Sequence, residues 1–376
     1  MKIVFVSNFL NHHQLPLCKA FAGMPHVEFH FIAAEPVPEM RLKLGYRDMN
    51  SEFDFVIRTY DSEEEKQMAY RMIQEADVMI CGEDPGKYVK NKKQLVFWFS
   101  ERIFKKETKG WERLIEYLRA VKNHTLKDNR RMQLLCAGAY VAQDFGMLHA
   151  CRGRMYRWGY FPEIEKKNLT ALWKCKEHRK LRILWAGRLL AWKRPKQAIE
   201  LAGYLKARGY EFELLMIGEG EERDSLEKAV RQSMLEACVK LCGAKPYEEV
   251  RKYMDEADIF LFTSNRQEGW GAVLNEAMNS GCAVIADRNI GAVPFLLEHE
   301  KNGLIYDGST EDLCRQTETL IVHSELRRTY GEEAYKTVVD TWNAEVAAER
   351  FVLLSEKLLR GEKNVQDFRG PCEYIG

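Results

Sequence analysis

The sequence predicts an α/β protein with two Rossmann-like, doubly wound parallel sheets. Short apolar runs rich in β-branched and aromatic residues recur along the chain, each about the length of a strand. Between them lie stretches with apolar residues three and four positions apart, as from Trp111 to Val121, which is the helical spacing. Strands that alternate with helices indicate βαβ crossovers and a mostly parallel sheet. Because the runs fall into two series of six, two such sheets are expected.

The strand-like runs also predict the domain boundaries. The first series comprises 2–7, 27–33, 53–58, 77–81, 94–100 and 132–137. The second series comprises 181–187, 212–218, 239–243, 259–264, 283–287 and 303–307. A polar stretch at 172–180 separates the series, so we expect a hinge there, between a domain at 1–170 and another at 180–342. Ligands of open parallel sheets bind beyond the carboxyl ends of the strands, so function is expected in a central cleft between the domains.

Length and composition agree with a two-domain globular protein. The chain has 376 residues, and domains average about 150. Hydrophobic residues at 46% and charged residues at 30% exclude a wholly disordered chain. Lys and Arg number 57 and Asp and Glu 56, a net charge of +1, so no overall field attracts the protein to nucleic acid. No apolar run reaches the roughly 18 residues of a membrane span, and no signal peptide is visible, so a cytoplasmic protein is expected.

The scattered cysteines and the missing nucleotide-binding motifs argue against several classes of protein. The ten cysteines lie singly in apolar runs, which is typical of reduced, buried thiols in a cytosolic protein. Cys238 and Cys242 would supply only half of a metal site, so no metal is expected. G-x-G-x-x-G is missing after the first strand and no P-loop occurs, which disfavours a nicotinamide dehydrogenase or a P-loop NTPase. The sequence Asp-Glu-Ala-Asp at 255–258 closes a predicted helix and is interpreted as solvated charge.

The first informative loop follows the strand that ends at Gly187. Arg188, Lys193 and Arg194 come next. Pro195 follows them and predicts a helix start, because its fixed φ angle suits the first helical position. Cations beside a helix N-terminus, where backbone N–H groups point outward, favour an anion. The segment therefore predicts a phosphate site, with a solvated basic turn as the alternative.

The second informative loop follows the strand 259–264. It carries Glu268, then the small-residue segment from Gly269 to Ala272, then a helix with Glu276. Glycines let a backbone approach a ligand closely and expose the N–H groups that open the helix. The two carboxylates could accept hydrogen bonds from two sets of hydroxyls, such as a sugar and a ribose. A surface pair of glutamates is the alternative.

Together these loops resemble a known family. Over roughly 181–310 the chain is similar to the retaining family 4 glycosyltransferases of the GT-B fold. The similarity lies in the E-x7-E pattern of Glu268 and Glu276 and in the G-R-x-x-x-x-K motif upstream of it. It extends to MIGEGEERDSLEKAV, which lies between these two motifs, and to GCAVIADRNIGAVPFLL, which follows them. The resemblance implies two Rossmann-like domains facing a central cleft. It also implies transfer of a sugar from a nucleotide-sugar donor, with retained configuration and without an obligatory metal or other cofactor.

The resemblance implies a role for each donor-site residue. Arg188 and Lys193, in the loop that Gly187 opens, would bind the donor diphosphate. Glu268 and the backbone amides of the following four residues would hold the donor sugar, and Glu276 the ribose hydroxyls. The amide residues are Gly269, Trp270, Gly271 and Ala272. Gly218 and Gly243 would border the nucleobase, and a UDP-sugar is the expected donor, although nothing near Lys245 and Tyr247 discriminates uracil from guanine.

The acceptor side departs from the family pattern. Family members often have glycines after the first strand and a His after the fifth, where this chain has Asn8 to His13 and Glu101. His12, His13 and Glu101 could orient an acceptor hydroxyl or share its proton. Capping and structural hydrogen bonding are the alternative. The resemblance also implies that the C-terminal segment, about 343–376, returns to the first domain.

Charge is concentrated in one segment of the first domain. Residues 87–131 contain fourteen Lys and Arg and five Asp and Glu, a net of +9. Trp111, Leu114, Ile115 and Leu118 interleave there with basic residues, which suits an anionic membrane surface. A core-facing helix with a solvated basic back is the alternative. We therefore predict a peripheral enzyme that reaches a glycan or lipid-linked acceptor, and family habit indicates capsule or lipopolysaccharide assembly.

Other functions remain compatible with this sequence. A nucleotide-sugar epimerase or another GT-B enzyme would hold the donor in the same way and release the sugar without an acceptor. A non-catalytic nucleotide-sugar-binding protein would keep the donor site and never turn over.

Overall fold

The computed structural model describes residues 1–376 except 40–41, 43–46, 83, 89–93, 129–130, 178–179 and 363–368. The chain forms two compact units. Unit 1 comprises Met1–Glu163 and Trp342–Gly376, and unit 2 comprises Ile164–Thr341. None of the helices in the described ranges is long and apolar enough to cross a bilayer.

Unit 1 is built on a parallel sheet. Its strands are β1 (Lys2–Ser7), β2 (Glu28–Ala33), β3 (Val56–Arg58), β4 (Val78–Cys81), β5 (Leu95–Ser100), β6 (Met132–Ala137) and β7 (Met155–Trp158). They lie in the order β3-β2-β1-β4-β5-β6-β7, and every neighbouring pair is parallel. All residues of β4 and β6 are buried, as expected for strands covered on both faces.

Helices surround this sheet, and their starts follow from capping residues. In the described part of unit 1 they are α1 (Leu15–Ala22), α2 (Glu63–Glu75), α3 (Gly110–Ala120), α4 (Val141–Met147) and α13 (Ala344–Leu359). The Ser62 hydroxyl accepts from the Glu65 N–H, and the Asn343 side chain accepts from the Val346 N–H, so each satisfies a free donor of the first turn. Helix α13 packs on unit 1 through Phe351, whose ring lies 4.6 Å from that of Phe97.

Strand β7 is absent from the sequence prediction. Its four residues form too short a run to stand out, and its exposed edge is completed by the distant C-terminus. The N–H of Met155 donates to the Gly376 carbonyl at 2.7 Å, and the N–H of Arg157 donates to the Glu373 carbonyl at 2.7 Å. The C-terminal segment thus covers an edge that would otherwise present free backbone groups.

Unit 2 repeats the architecture with six parallel strands. They are β8 (Leu181–Ala186), β9 (Phe212–Ile217), β10 (Val239–Gly243), β11 (Ile259–Phe262), β12 (Ala283–Asp287) and β13 (Leu304–Tyr306). Their order is β10-β9-β8-β11-β12-β13, and all pairs are parallel. The helices described in this unit are α5 (Leu169–Lys176), α6 (Pro195–Ala207), α7 (Arg223–Gln232), α8 (Tyr247–Glu256), α9 (Val273–Asn279), α10 (Val293–Leu296), α11 (Thr310–Val322) and α12 (Ser324–Asp340). All six predicted strands of the second series are present, and the predicted two-sheet α/β class is confirmed.

The expected hinge lies elsewhere. The compact units divide after Glu163, so the stretch 172–180 falls inside unit 2, apart from 178–179, which lie outside the described residues. Much of the stretch belongs to α5, whose Leu172 is buried and whose Lys176 ammonium donates to the Met254 carbonyl at 3.4 Å. Its polar residues are the outer face of a packed helix, which composition alone does not distinguish from a linker.

The Asp-Glu-Ala-Asp segment ends a helix, as predicted, but its aspartates are half-buried and hydrogen-bonded and are not solvated charges. Asp255, in the last turn of α8, accepts a hydrogen bond from the Lys167 ammonium at 2.6 Å. Asp258 accepts from the Arg182 N–H at 2.8 Å, which ties the start of β8 to the start of β11. These carboxylates lie at the amino ends of strands, away from the edge where ligands bind.

Arg194 holds together the carboxyl edge of the unit 2 sheet. Its backbone is left-handed, with φ of 50°, between the loop after β8 and α6. Its guanidinium donates to the carbonyls of Thr263 at 2.8 Å, Gly308 at 3.0 Å and Ser264 at 3.1 Å. It also forms an ion pair with Asp287, which is fully buried. This cation, which the sequence grouped with Arg188 and Lys193, is thus committed to the fold.

Replacing Arg194 should destabilise unit 2 severely. In Arg194→Ala the buried Asp287 carboxylate loses its cation, which typically costs about 3 kcal/mol or more. Arg208→Ala is the matched control, because its ion pair with Glu318 is on the surface and contributes less than about 1 kcal/mol. Urea unfolding of both variants measures the difference. Equal losses in the two variants would contradict this role for Arg194.

Candidate functional site

The two loops predicted to hold a ligand are tied together in unit 2. Strands β8 and β11 are neighbours, so the loops after them leave the same edge of the sheet. The Thr263 hydroxyl donates to the Lys193 carbonyl at 2.7 Å and accepts from the Trp185 indole N–H at 2.9 Å. The Asn265 N–H donates to the Trp192 carbonyl at 2.9 Å. The basic loop and the glutamate loop therefore form one structure.

Lys193 and Glu268 meet within that structure. The Lys193 ammonium lies 2.6 Å from Oε2 of Glu268, and each side chain is only 13% exposed. The Ser264 hydroxyl donates to the same carboxylate oxygen at 2.8 Å. Ser264 was not predicted, although a hydroxyl just beyond a strand's carboxyl end is a usable signal. The predicted pair is thus brought together and its orientation is fixed.

Arg188 is positioned by its neighbours rather than by its own side chain. The Gly187 N–H donates to the Ile217 carbonyl at 2.9 Å, and the Leu189 N–H to the Glu219 carbonyl at 2.8 Å. Within the described ranges the Arg188 guanidinium forms no hydrogen bond or ion pair. Its donors remain available to an anion, in contrast to those of Arg194.

Gly218 has a structural reason to be glycine. Its φ is +138°, and a Cβ atom there would lie 1.9 Å from the Gly187 carbonyl oxygen. Any side chain would push apart the loops after β8 and β9, and so displace Arg188. The Gly218 N–H donates to the Gly243 carbonyl at 2.9 Å, which places both predicted nucleobase neighbours side by side. Nearby, Lys245 lies 3.5 Å from Glu249 in an ion pair.

The segment from Gly269 to Ala272 has the shape of a backbone cradle. Gly271 has φ of +90°, and a Cβ atom there would lie 2.3 Å from the Phe262 ring. The Trp270 side chain is buried, and its indole donates to Asn275 at 3.0 Å, so it anchors the loop and only its amide can face a ligand. In the described part of the chain the N–H groups of Gly269, Gly271 and Ala272 do not donate to backbone carbonyls. They are candidates for binding a ligand oxygen.

Glu276 lies in the first turn of α9 and is almost entirely buried. Desolvation raises the pKa of its carboxyl to about 7, and the nearby Arg251 opposes the shift. Arg251 is itself buried and donates to the Glu276 carbonyl at 3.1 Å, and it also bonds the Asn279 side chain. Arg251 escaped prediction because a single arginine in an amphipathic helix gives no sign that it points inward.

The acceptor-side candidates gather in unit 1 around a residue that was not predicted. The rings of His12 and His13 lie 3.8 Å apart, and that of His13 lies 6.2 Å from Tyr160. The Tyr160 hydroxyl donates to Oε1 of Glu101 at 2.9 Å, and Lys105 forms an ion pair with the same carboxylate. Burial and the Glu101 charge raise the pKa of Tyr160 well above its ordinary value, so it stays a hydrogen-bond donor. These residues follow β1, β5 and β7, at the carboxyl ends of one sheet.

The thiols provide no cluster of metal ligands among the described residues. All ten cysteines are thiols, and seven of them are buried. Cys238 and Cys242, weighed as half of a metal site, instead donate to the backbone carbonyls of Leu235 and Lys240.

Comparison with known proteins connects these loops to a family. The protein-family model described as "Glycosyl transferases group 1" matches residues 174–337, all within unit 2. The amylovoran biosynthesis glycosyltransferase AmsK of Erwinia amylovora is 41% identical over 143 residues, which are 36% of this chain and 35% of AmsK. The lipopolysaccharide core biosynthesis glycosyltransferase LpsE of Rhizobium meliloti is 28% identical over 38% of this chain and 41% of LpsE. The chain thus spans well under half of these relatives' lengths.

Solved structures extend the similarity to the whole fold. The crystal structure of Anabaena HepE in complex with UDP superposes with a TM-score of 0.70 at 16% identity, over 95% of this chain and 100% of that one. Sucrose-phosphate synthase from Thermosynechococcus elongatus superposes with a TM-score of 0.67 at 14% identity, over 96% and 100% of the two chains. At such identities the likeness concerns the fold alone. The chain has the two parallel α/β units of the GT-B fold, and its residues 174–337 match the glycosyl transferases group 1 family.

Proposed function

We propose that this protein is a glycosyltransferase that moves a sugar from a nucleotide-sugar donor, a UDP-sugar, to a glycan or lipid-linked acceptor in surface-polysaccharide biosynthesis. The observation that carries the proposal is the tied pair of loops in unit 2. One loop offers the Arg188 and Lys193 cations, and the other offers Glu268 and the backbone amides of Gly269, Gly271 and Ala272. The family match over 174–337 and the polysaccharide enzymes among the relatives support it.

The cations fit the charge that the reaction develops. Breaking a glycosyl–phosphate bond leaves negative charge on the departing diphosphate. Fixed positive groups stabilise this charge best when they are in place beforehand. Arg188 can grip two phosphate oxygens with its planar fork, while Lys193 supplies a point charge. In this proposal the two side chains neutralise the diphosphate without an obligatory metal.

The carboxylates fit the hydroxyls of the donor. Glu268 keeps Oε1 available while Oε2 binds Lys193 and Ser264, so it can accept from a hydroxyl of the transferred sugar. The amides from Gly269 to Ala272 lie in the same loop. Glu276, once ionised, can accept two hydrogen bonds from the ribose diol. Gly218 and Gly243 are adjacent at the ends of β9 and β10, and in this proposal the nucleobase lies beside them.

The uridine assignment rests on a structural neighbour. HepE was crystallised with UDP and with UDP-glucose, and its fold matches this one over nearly the whole chain. UDP-glucose is therefore the first probe to use. Retention of configuration rests on the family resemblance alone, and NMR of the product's anomeric carbon tests it.

On unit 1 we propose that Glu101 and Tyr160 orient the acceptor. Oε1 of Glu101 already accepts from Tyr160 and Oε2 pairs with Lys105, so the carboxylate is fixed in direction. His13 lies beside Tyr160 and adds an imidazole whose ring nitrogens can donate or accept a hydrogen bond. This cluster and its proposed role do not depend on a metal.

An epimerase acting on the same donor is the second candidate. It would use the same grip on the diphosphate and release its product without transfer. Measuring UDP release with and without an added acceptor glycan separates the two. A transferase accelerates when acceptor is present, and an epimerase does not.

Loss of either phosphate-binding cation should impair turnover more than binding. Arg188→Ala and Lys193→Ala are expected to lower kcat/KM about 10²-fold or more, because each removes a contact that strengthens as the diphosphate leaves. Steady-state rates of UDP release from UDP-glucose measure this. Lys196→Ala is the matched control, since Lys196 is an exposed cation on the next turn of chain. Near-normal turnover in either site variant would refute the assignment.

Donor binding should depend on the protonation of Glu276. The raised pKa of about 7 means that the free protein carries a neutral carboxyl at pH 6, which must ionise to accept both ribose hydroxyls. Affinity for UDP-glucose is therefore expected to fall below pH 7, by at most about tenfold per pH unit. Calorimetric titration from pH 5.5 to 8 measures it, and UDP-glucose itself does not titrate in that range.

The matched variant for this experiment is Glu276→Gln, which keeps the shape and removes the ionisation. It should bind UDP-glucose more weakly than the parent at pH 8 and with little dependence on pH. The same pH profile in both proteins would assign the effect to another group.

A further inference from the structure

Helix α3 turns its apolar face away from the core of unit 1. Trp111 is 79% exposed, Leu114 44%, Ile115 49% and Leu118 57%. Their spacing of three and four places them on one face of the helix, here called the α3 face. Ala120 is the one buried residue of α3. The expected alternative of a core-facing stripe is therefore wrong for this helix.

Exposing the apolar α3 face to water is energetically unfavourable, and a partner that covered the face would remove this cost. Folded proteins rarely leave a contiguous group of large apolar side chains in water, and such patches mark interaction sites. An eleven-residue helix is also marginally stable without tertiary burial of its apolar side. Leu126, six residues beyond the end of α3, is also 75% exposed.

The helix is nevertheless firmly held at both ends. Before it, the buried Asp144 carboxylate accepts from the N–H groups of Ile103 at 2.7 Å and Phe104 at 3.1 Å. After it, the Thr125 hydroxyl donates to the Leu148 carbonyl at 2.6 Å, and the His124 ring lies 4.8 Å from Trp98. The α3 face is thus presented on a fixed base, and its exposure does not come from a frayed end.

Exposed basic residues are concentrated in and beside this helix. From 105 to 122 the chain has six Lys and Arg and three Asp and Glu. The exposed cations are Lys106, Lys109, Arg113, Arg119 and Lys122. One of the acidic side chains, Glu116, already accepts from the Thr108 hydroxyl at 2.7 Å. An exposed apolar face on a helix that also carries exposed cations matches the layered chemistry of an anionic lipid surface, where acyl chains lie beneath charged headgroups.

We propose that the α3 face is a lipid-docking surface. Its four apolar side chains lie in the interfacial layer of an anionic bilayer, and the exposed lysines and arginines in and beside the helix pair with lipid phosphates. Charge decides between occupants, because a second copy of this chain would bring its own cations against these. The proposal does not depend on the donor site. It adds a position for the enzyme, on a lipid surface where lipid-linked acceptors are found.

Vesicle binding of the full chain tests this docking directly. At 0.1 M NaCl the protein should bind vesicles of phosphatidylcholine with 30% phosphatidylglycerol at least tenfold more tightly than pure phosphatidylcholine vesicles. Trp111→Ala/Leu118→Ala should weaken binding at least tenfold through lost insertion. Arg113→Glu/Arg119→Glu should weaken it and flatten its dependence on salt. Brominated lipids should quench the fluorescence of the parent more than that of Trp111→Phe.

Controls separate docking from folding and from the donor site. Leu353→Ala removes another exposed apolar side chain of unit 1, 47% exposed on α13, and should bind vesicles like the parent. Far-UV circular dichroism and binding of UDP-glucose should be unchanged in all variants, since the substituted side chains lie in solvent. Absent binding to the anionic vesicles, or equal binding by the Trp111→Ala/Leu118→Ala variant, overturns the proposal. A Trp111-dependent dimer in sedimentation velocity without vesicle binding also overturns it and assigns the face to a second copy.

Discussion

Lys193 and Glu268 come from two loops that are 75 positions apart in sequence, and the ion pair between them holds these loops in the arrangement of the proposed donor site. At full exposure such a pair would contribute little, but at 13% exposure the surrounding protein strengthens the attraction and fixes its direction. The pair needs both loops in register, and Thr263 and Arg194 provide this by binding the backbone of each. Cation and carboxylate are thus in place before a ligand arrives, which is the condition for electrostatic catalysis.

Two arginines at the carboxyl edge of the unit 2 sheet have different roles. The Arg194 guanidinium donates to three carbonyls and pairs with a buried carboxylate, so we expect its removal to destabilise the protein. The Arg188 guanidinium donates to no group in the described part of the chain, and the residue is held only through its backbone. In sequence the two are equivalent members of a basic turn. The difference arises because Asp287 and Gly308, which bind Arg194, are brought to the site only by the sheet order β8-β11-β12-β13.

Local patterns predicted most of the fold and of the donor loops, and long-range contacts account for what they missed. Buried parallel strands are near-continuous apolar runs, so twelve of the strands could be recognised from the chain alone. Strand β7 could not, because its edge is completed by residues 372–376. Tyr160 and Arg251 gave no signal because their partners, Glu101 and Glu276, lie far away in sequence. The helical spacing of the apolar residues in α3 could be recognised from the sequence. Spacing alone does not show whether an apolar face packs on the core or faces solvent.

The central claim is that unit 2 holds a nucleotide-sugar through fixed charges of its own, and a thermal-shift screen in EDTA tests it most directly. UDP-, GDP- and ADP-sugars are compared at equal concentration, because a ligand raises the melting temperature according to its affinity. The account predicts a clear rise with a UDP-sugar that survives chelation of metals and is smaller in Arg188→Ala. No rise with any nucleotide-sugar, or a rise that Arg188→Ala leaves unchanged, would contradict it.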